Sequence, residues 1–572
     1  MASATLPYSI SVSPSSFHPE STVGGWAFSL RRHGSLATGF PMDNINNLQP
    51  KGIMRRSIAS IQRDNISTNT WTSTSPSIQK ESAPLLDTLK ASASLDVAGF
   101  HFPGHNRGGA APPLLSELIG METFKHDLPE LQELDNLFAP TGPILHAQKQ
   151  AAELFGSSET WFLVGGTTCG VHASIMATCS PGDNLILQRN SHISAISGMV
   201  FSGVMPKYII PEYNSRWDIA GTIDLLKVKK AFSDLKDQGR KVGAVLVTSP
   251  TYQGVCCDSL EKITDFCHLK GVPVIVDEAH GAHFKFDPTL PKTALEQGAD
   301  LAVQSTHKVL SSLTQSSMLH VQGELVDRGR VGRCLQALQS SSPSYLLLAS
   351  LDAVRAQLSK KPDTIFKEAI ALAREATLGI LEASCVSVLS SKDFVGSPKV
   401  DPLRVTVGVW ELGLSGYEAD DILIKKYGVI SELAGARSLT FAVTLGSCRE
   451  HVKKLIHAIE SLAWRSLGEN ELDSDRRKGN EVNECFPFHH IHIAMSPRDA
   501  FFASKTRANL EESIGKICGE IICPYPPGIP LLFPGEIISE RTLAYLMDIR
   551  DGGAVISGAA DPHLLSILIC DV

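Results

Sequence analysis

Six short apolar runs between residues 160 and 304 constrain the architecture more than anything else in the chain. They are Thr160–Val164, Asn184–Gln188, Lys207–Ile210, Val242–Val247, Val272–Val276 and Leu301–Gln304. Helical stretches separate them. Near-continuous apolar strands alternating with helices call for a largely parallel sheet whose two faces are both covered. The expected fold class is therefore α/β, with a mostly parallel central sheet under helices. Ahead of the first strand, Leu85–Ala93 and Gly142–Phe155 read as helices, and Phe100–Gly109 as a glycine-rich loop.

At 572 residues the chain exceeds one ordinary domain, and 43% hydrophobic residues supply ample core. The α/β block, with an N-terminal arm, is expected over 84–365 and a smaller α/β unit with a strand near Leu403–Val409 over 366–464. A polar, charged linker follows over 465–484, and a proline-rich α+β C-terminal unit over 485–572. No internal repeat is visible. The formal net charge of −8 argues against nucleic acid as the main partner, and no apolar run is long enough to span a bilayer. The 12 cysteines are scattered without paired spacing, which fits reduced thiols rather than a disulfide framework or a zinc site.

The first 80 residues differ. Between Met1 and Ser60 there are Arg31, Arg32, Lys51, Arg55 and Arg56 against only Glu20 and Asp43, in a background rich in serine and threonine. That composition predicts an organellar transit peptide, plastid ahead of mitochondrion. The alternative is a disordered serine-rich tail on a cytosolic protein.

The chemistry gathers at strand ends. Lys308 lies in QSTHK, directly after the Leu301–Gln304 run, with Ser305, Thr306 and His307 beside it. A lysine in a polar frame at the end of a buried strand suits an amine that forms a Schiff base, or one that only pairs with a carboxylate. Gly165-Gly166-Thr167-Thr168 opens an apolar helix after a strand; its small residues and free amides can hold an anion, or merely reverse the chain. Asp277 ends the Val272–Val276 run, where ligands bind in open parallel sheets. There it can keep a pyridine nitrogen protonated. The competing reading is a metal held by Asp277, Glu278, His280 and His283, with no further cysteine or histidine to complete the shell. His192, in RNSH, can stack on an aromatic cofactor or be a satisfied buried histidine. Taken in order, the phosphate turn, stacking histidine, ring acid and lysine have the layout of a pyridoxal 5'-phosphate enzyme of the aspartate-aminotransferase-like fold.

On these and further motifs the chain resembles the Orn/Lys/Arg decarboxylases of bacterial type, in a short form without the N-terminal wing domain. The motifs are PGH at Pro103–His105, the GTT turn, RNSH, SPTYQG at Ser249–Gly254, VDEAHGAH, QSTHK, SSPSYLLLASLD at Ser341–Asp352, MSPRDAFF at Met495–Phe502 and PPGIPLLFPGE at Pro526–Glu536. The resemblance implies that Lys308 binds pyridoxal phosphate covalently, Asp277 pairs with the ring nitrogen, and His192 stacks on the ring. It implies that Gly166, Thr167, Thr168, Ser305 and His307 hold the phosphate and that Ala279 lies against the ring. Ser341 would reach the phosphate of an adjacent subunit. His280 would stand near the substrate, His307 would be a catalytic proton donor, and Glu536 would recognise the substrate's distal cation.

The implied reaction is decarboxylation of a basic amino acid, arginine ahead of lysine or ornithine, feeding polyamine synthesis. The implied assembly is a homodimer with active sites at its interface, with no metal, nucleic acid or membrane. Three positions depart from the family pattern: Asn106 after PGH, Gly165 before the phosphate turn and Ile193 after RNSH. They could alter substrate preference or cofactor retention and keep open a non-catalytic homologue, while another pyridoxal-phosphate reaction, transamination or lysis, is the enzymatic alternative.

Overall fold

In the computed structural model, residues 81–383, 386–469, 488 and 491–571 are described. The seven strands of the central sheet are β1 (Glu159–Leu163), β2 (Asn184–Gln188), β3 (Met205–Ile209), β4 (Val242–Thr248), β5 (Val274–Asp277), β6 (Leu301–Gln304) and β7 (Ser317–Val321). Their order across the sheet is β1-β7-β6-β5-β4-β2-β3. The run from β3 through β6 is parallel. β7 is antiparallel to both its neighbours, which leaves β1 pointing the same way as β6. The carboxyl ends of β1, β2, β5 and β6 therefore meet at one edge.

Period-2 alternation distributes the apolar side chains between the two faces. Leu185, Leu187, Leu246, Ile275 and Val303 share one core with the helices Gly166–Thr178 and Ile193–Ser202. Ile186, Val245, Val247, Val274 and Ala302 share the opposite core with the helices Leu225–Asp237 and Leu260–His268. Each fully buried aliphatic side chain stabilises the fold by roughly 1.5–3 kcal/mol. The six runs expected from sequence correspond to β1–β6, and β7 is additional.

A polar network runs across the face of the sheet that carries Ala302, Phe162 and Met318. Thr160 donates to His320 Nδ1 (2.8 Å) and His320 Nε2 lies 3.0 Å from Gln304 Oε1. Gln304 donates in turn to Glu278 Oε2 (2.8 Å), whose other oxygen accepts from the amide of Ala294 (2.7 Å). Burial pushes His320 down to about 3 from an ordinary 6.5. The unfolded chain takes up this proton as pH falls through 6.5 while the folded chain does not, so stability falls progressively towards pH 3. Glu278, pushed up to about 8 by burial, acts in the opposite sense between 4.5 and 8. Comparing His320→Gln with the parent isolates the histidine. The variant is expected to flatten the loss below pH 6.5, which thermal melts across that range would measure; a parallel decline in both proteins would contradict the assignment.

Beyond the central sheet, Ser387–Val388, Arg404–Gly408, Ser438–Ala442 and Leu433–Ala434 form a four-stranded sheet in that order, antiparallel throughout. The helices Lys367–Ala383 and Arg449–Glu469 cover it. In the C-terminal part, Lys505–Asn509 pairs with Ser566–Cys570 and Cys523–Pro524 with Ile556–Ser557, packed against the helix Glu540–Asp551. The helix Arg449–Glu469 runs into the stretch read as a linker, whose remainder over 470–484 lies outside the described residues, as do residues 1–80.

Candidate active site

At the edge where the strand ends meet lies a cavity of ≈ 490 Å³. Its wall includes Gly166, Thr167, Thr168, His192, Asp277, Ala279, His280, Ser305, His307 and Lys308. Ten of the twelve residues singled out from sequence thus line one space. Ser341 and Glu536 do not.

Lys308 sits in the short helix Thr306–Val309 that follows β6, and its Nζ lies 3.0 Å from His280 Nε2. Burial lowers the Lys308 ammonium below its ordinary range; Asp277 and Glu432 oppose this and Arg404 adds to it. Burial also holds His280 well below the usual histidine range, and the Lys308 charge adds to that. Burial thus disfavours the charged forms of both the amine and the imidazole beside it, the direction of shift that suits a nucleophilic lysine. Tyr252, from the SPTYQG loop, closes this corner. Its ring is 4.4 Å from that of His280 and 5.6 Å from Lys308 Nζ, and its hydroxyl donates to Glu432 (2.6 Å).

Asp277 ends β5, buried at 6% exposure, and accepts from the amide of Ala279 (3.2 Å). Its sequence neighbour Glu278 turns away into the polar network under the sheet. His283 pairs with buried Asp401 (3.1 Å). Glu278 and His283 thus engage partners outside the wall that Asp277 and His280 share, and no cluster of three or more His, Cys, Asp or Glu able to hold a metal occurs among the described residues.

His192 caps the helix Ile193–Ser202: Nδ1 accepts from the Ser194 amide (3.2 Å), which leaves Nε2 to carry the proton in the neutral ring. Burial lowers its pKa. A Cβ at Gly528 would stand 3.0 Å from that Nε2, and φ there is +86°, so the Pro-Pro-Gly turn can close on the histidine only through glycine.

The donor set fits pyridoxal phosphate. The 13-residue helix Gly166–Thr178 presents its uncapped first turn to the cavity, as an anion site requires. Thr167 Oγ1 bonds Ser305 Oγ and lies 3.1 Å from Ser317 Oγ, so the hydroxyls are clustered at that turn. Asn190 Oδ1 and Thr248 Oγ1, in residues of the cavity wall, are buried without a partner among the described residues, an arrangement that a polar ligand relieves.

Glu536 requires a correction. It is 4% exposed and its carboxylate lies 2.9 Å from Nη2 of Arg189, which is itself 1% exposed. Arg189 also donates to the carbonyls of Pro530 (2.6 Å) and Leu531 (2.9 Å), between the rings of Phe488 and Phe533. Glu536 therefore serves to dock the C-terminal segment on the strand that carries His192, and is not available to a substrate cation. Removing one partner of such a buried pair costs about 3–5 kcal/mol, because the other charge is stranded. Ser341 is exposed on its own chain.

Sequence reasoning also missed Tyr252, Glu432 and Arg404. Arg404 is buried, with Nε and Nη1 unpartnered among the described residues. The signal for it was Gly254 in SPTYQG, where φ is +90° and a Cβ would meet the Arg404 and Asp401 side chains at 3.0 Å.

A mostly parallel sheet with Asp277, His192 and Lys308 at strand ends along one edge has the aspartate-aminotransferase-like fold. The family models for the major and C-terminal domains of Orn/Lys/Arg decarboxylases match residues 83–401 and 480–559. The arginine decarboxylase of Bacillus subtilis is 35% identical over 495 residues, covering 86% of this chain and 98% of that protein. That of Halalkalibacterium halodurans is 37% identical, covering 84% and 96%. The crystal structure of the Francisella novicida lysine decarboxylase superposes with a TM-score of 0.73 at 21% identity, over 86% of this chain and 81% of that one. The chain belongs to the Orn/Lys/Arg decarboxylase family and is a carboxy-lyase acting on basic amino acids. This sets aside transamination and the non-catalytic homologue. The plastid expectation is corrected as well, because these relatives are bacterial enzymes.

Proposed function

We propose that the chain decarboxylates L-arginine to agmatine and CO2 with pyridoxal phosphate, in preference to lysine or ornithine, and so feeds polyamine synthesis. The carrying observation is Lys308, half-buried with its Nζ 3.0 Å from His280 Nε2, facing one cavity with Asp277 and His192, in a chain whose similar relatives are named arginine decarboxylases. When bound, the cofactor supplies an electron sink for the pair left at Cα as CO2 departs. Asp277 would hold the proton on the ring nitrogen, and His192 would lie against the ring. Gly166, Thr167 and Thr168 would hold the phosphate with Ser305 and His307.

Lys308 Nζ is poised to bind the cofactor and, once released, to move a proton with His280 as its 3.0 Å relay. His307, half-buried with its pKa lowered by burial, is the second proton carrier in the wall. In a homodimer the exposed Ser341 would lend its hydroxyl to the phosphate site of the second copy.

Incubating the holoenzyme separately with arginine, lysine and ornithine, and measuring CO2 and the amine formed, tests this reading. Arginine is expected to turn over fastest. Faster release from lysine would overturn the substrate assignment, and release from none would overturn the function.

A further inference from the structure

Two carboxylates line the cavity, Asp277 and Asp218. The charges that act on Lys308 are Asp277, Glu432 and Arg404, whereas those that act on Asp218 are Arg437 and Asp548. Asp218 thus belongs to a different end of the same space. The chain between the two ends is short: the wall segment Leu433–Ala436 runs from Glu432, bonded to Tyr252 beside Lys308, to Arg437 beside Asp218. Five peptide steps extend at most ~18 Å.

Asp218 is built into place. Its carboxylate accepts from the hydroxyl of Tyr213 and lies 3.1 and 3.2 Å from that of Tyr545, with both tyrosines in the cavity wall. It occupies the left-handed region at φ +54°, a conformation that costs energy for a non-glycine residue and persists where surroundings impose it. The imposing element is the hairpin pairing Tyr213–Asn214 with Ile219–Ala220. Its loop is pinned by Trp217, 1% exposed, whose Nε1 donates to Asp393 (2.9 Å). Arg437 adds a positive charge nearby, but its Nε donates to the Arg216 carbonyl (2.7 Å) and its guanidinium lies over Trp410.

We propose that Asp218, oriented by Tyr213 and Tyr545, is the subsite for the distal cation of the substrate, the role that Glu536 cannot fill. This rests on the reading of the cavity as a basic amino acid decarboxylase site. A planar guanidinium can give a carboxylate two parallel N–H bonds, and a neutral isostere would leave the half-buried carboxylate without a cation. Burial tends to raise the Asp218 pKa while the two hydroxyl bonds lower it, and a bound cation would add to the second effect.

The test is titration of the holoenzyme with L-arginine and with its neutral isostere L-citrulline, followed through the cofactor absorbance. The parent is expected to prefer arginine by about 10- to 100-fold, and Asp218→Asn to lose most of that preference through weaker arginine binding. The resting absorbance should not change. An Asp218→Asn variant that keeps the parental preference would overturn the proposal. Should that variant fail to hold the cofactor, Tyr545→Phe and Tyr213→Phe decide. Each is expected to weaken arginine binding severalfold and leave citrulline unaffected; parental behaviour in both would overturn the proposal. CO2 release is scored separately, so a protein that binds arginine through Asp218 without releasing CO2 would sink the decarboxylase reading alone.

Discussion

Replacing Lys308 with alanine is expected to abolish the absorbance of the lysine-bound cofactor and to cut CO2 release by at least about 10³-fold. The reason lies in the surroundings of the amine. Burial disfavours the ammonium form, and His280 Nε2 at 3.0 Å is placed to exchange a proton with the amine. No other lysine or arginine lines the cavity among the described residues, so no second amine can take its place. The fold should survive, because the truncation removes a cation that burial already penalises. Absorbance spectra and product assays on the purified variant, with a thermal melt to confirm folding, measure all three effects. Activity within tenfold of the parent would contradict the assignment.

Asp277→Ala is expected to separate chemistry from binding. The carboxylate stands at the end of β5, buried at 6% exposure, where its charge both faces the ring site and supports the Lys308 ammonium. Its removal should lower kcat by about 10²- to 10⁴-fold, since the ring nitrogen loses the group that keeps it protonated. Cofactor affinity should change much less. The helix amides at Gly166–Thr168, the hydroxyls of Thr167 and Ser305, and Lys308 itself are all left in place. Steady-state kinetics together with cofactor titration of the apo-protein reads the two effects independently. Comparable losses in both would assign Asp277 to cofactor binding instead.

The central sheet was legible in the sequence because strands buried on both faces must be apolar throughout, as Leu185-Ile186-Leu187 and Val274-Ile275-Val276 are. β7 was not legible. Its five residues include Ser317 and His320, which are fully buried, Ser317 against Thr167 at the start of the helix Gly166–Thr178 and His320 against Thr160 on the neighbouring strand. No local pattern encodes such partners.

The same division runs through the site. Lys308, Asp277 and His192 could be read because each follows directly on a strand, and strand ends are where an open parallel sheet binds ligands. Asp218 and Tyr545 meet across 327 positions, and Arg189 and Glu536 across 347, so their pairing depends on the docked C-terminal segment. The Glu536 error followed from that distance. A carboxylate in a glycine–proline turn reads as exposed and available until the buried guanidinium opposite it is seen.

The most direct test of Lys308 as the cofactor anchor in this decarboxylase site is borohydride reduction of the holoenzyme, followed by digestion and mass mapping. Reduction makes the lysine–cofactor link permanent, so the modified residue can be read off the peptides. The expected result is a single pyridoxyl group on the peptide carrying Lys308, absent from the Lys308→Ala variant. A pyridoxyl group on any other lysine, or on none, would contradict it.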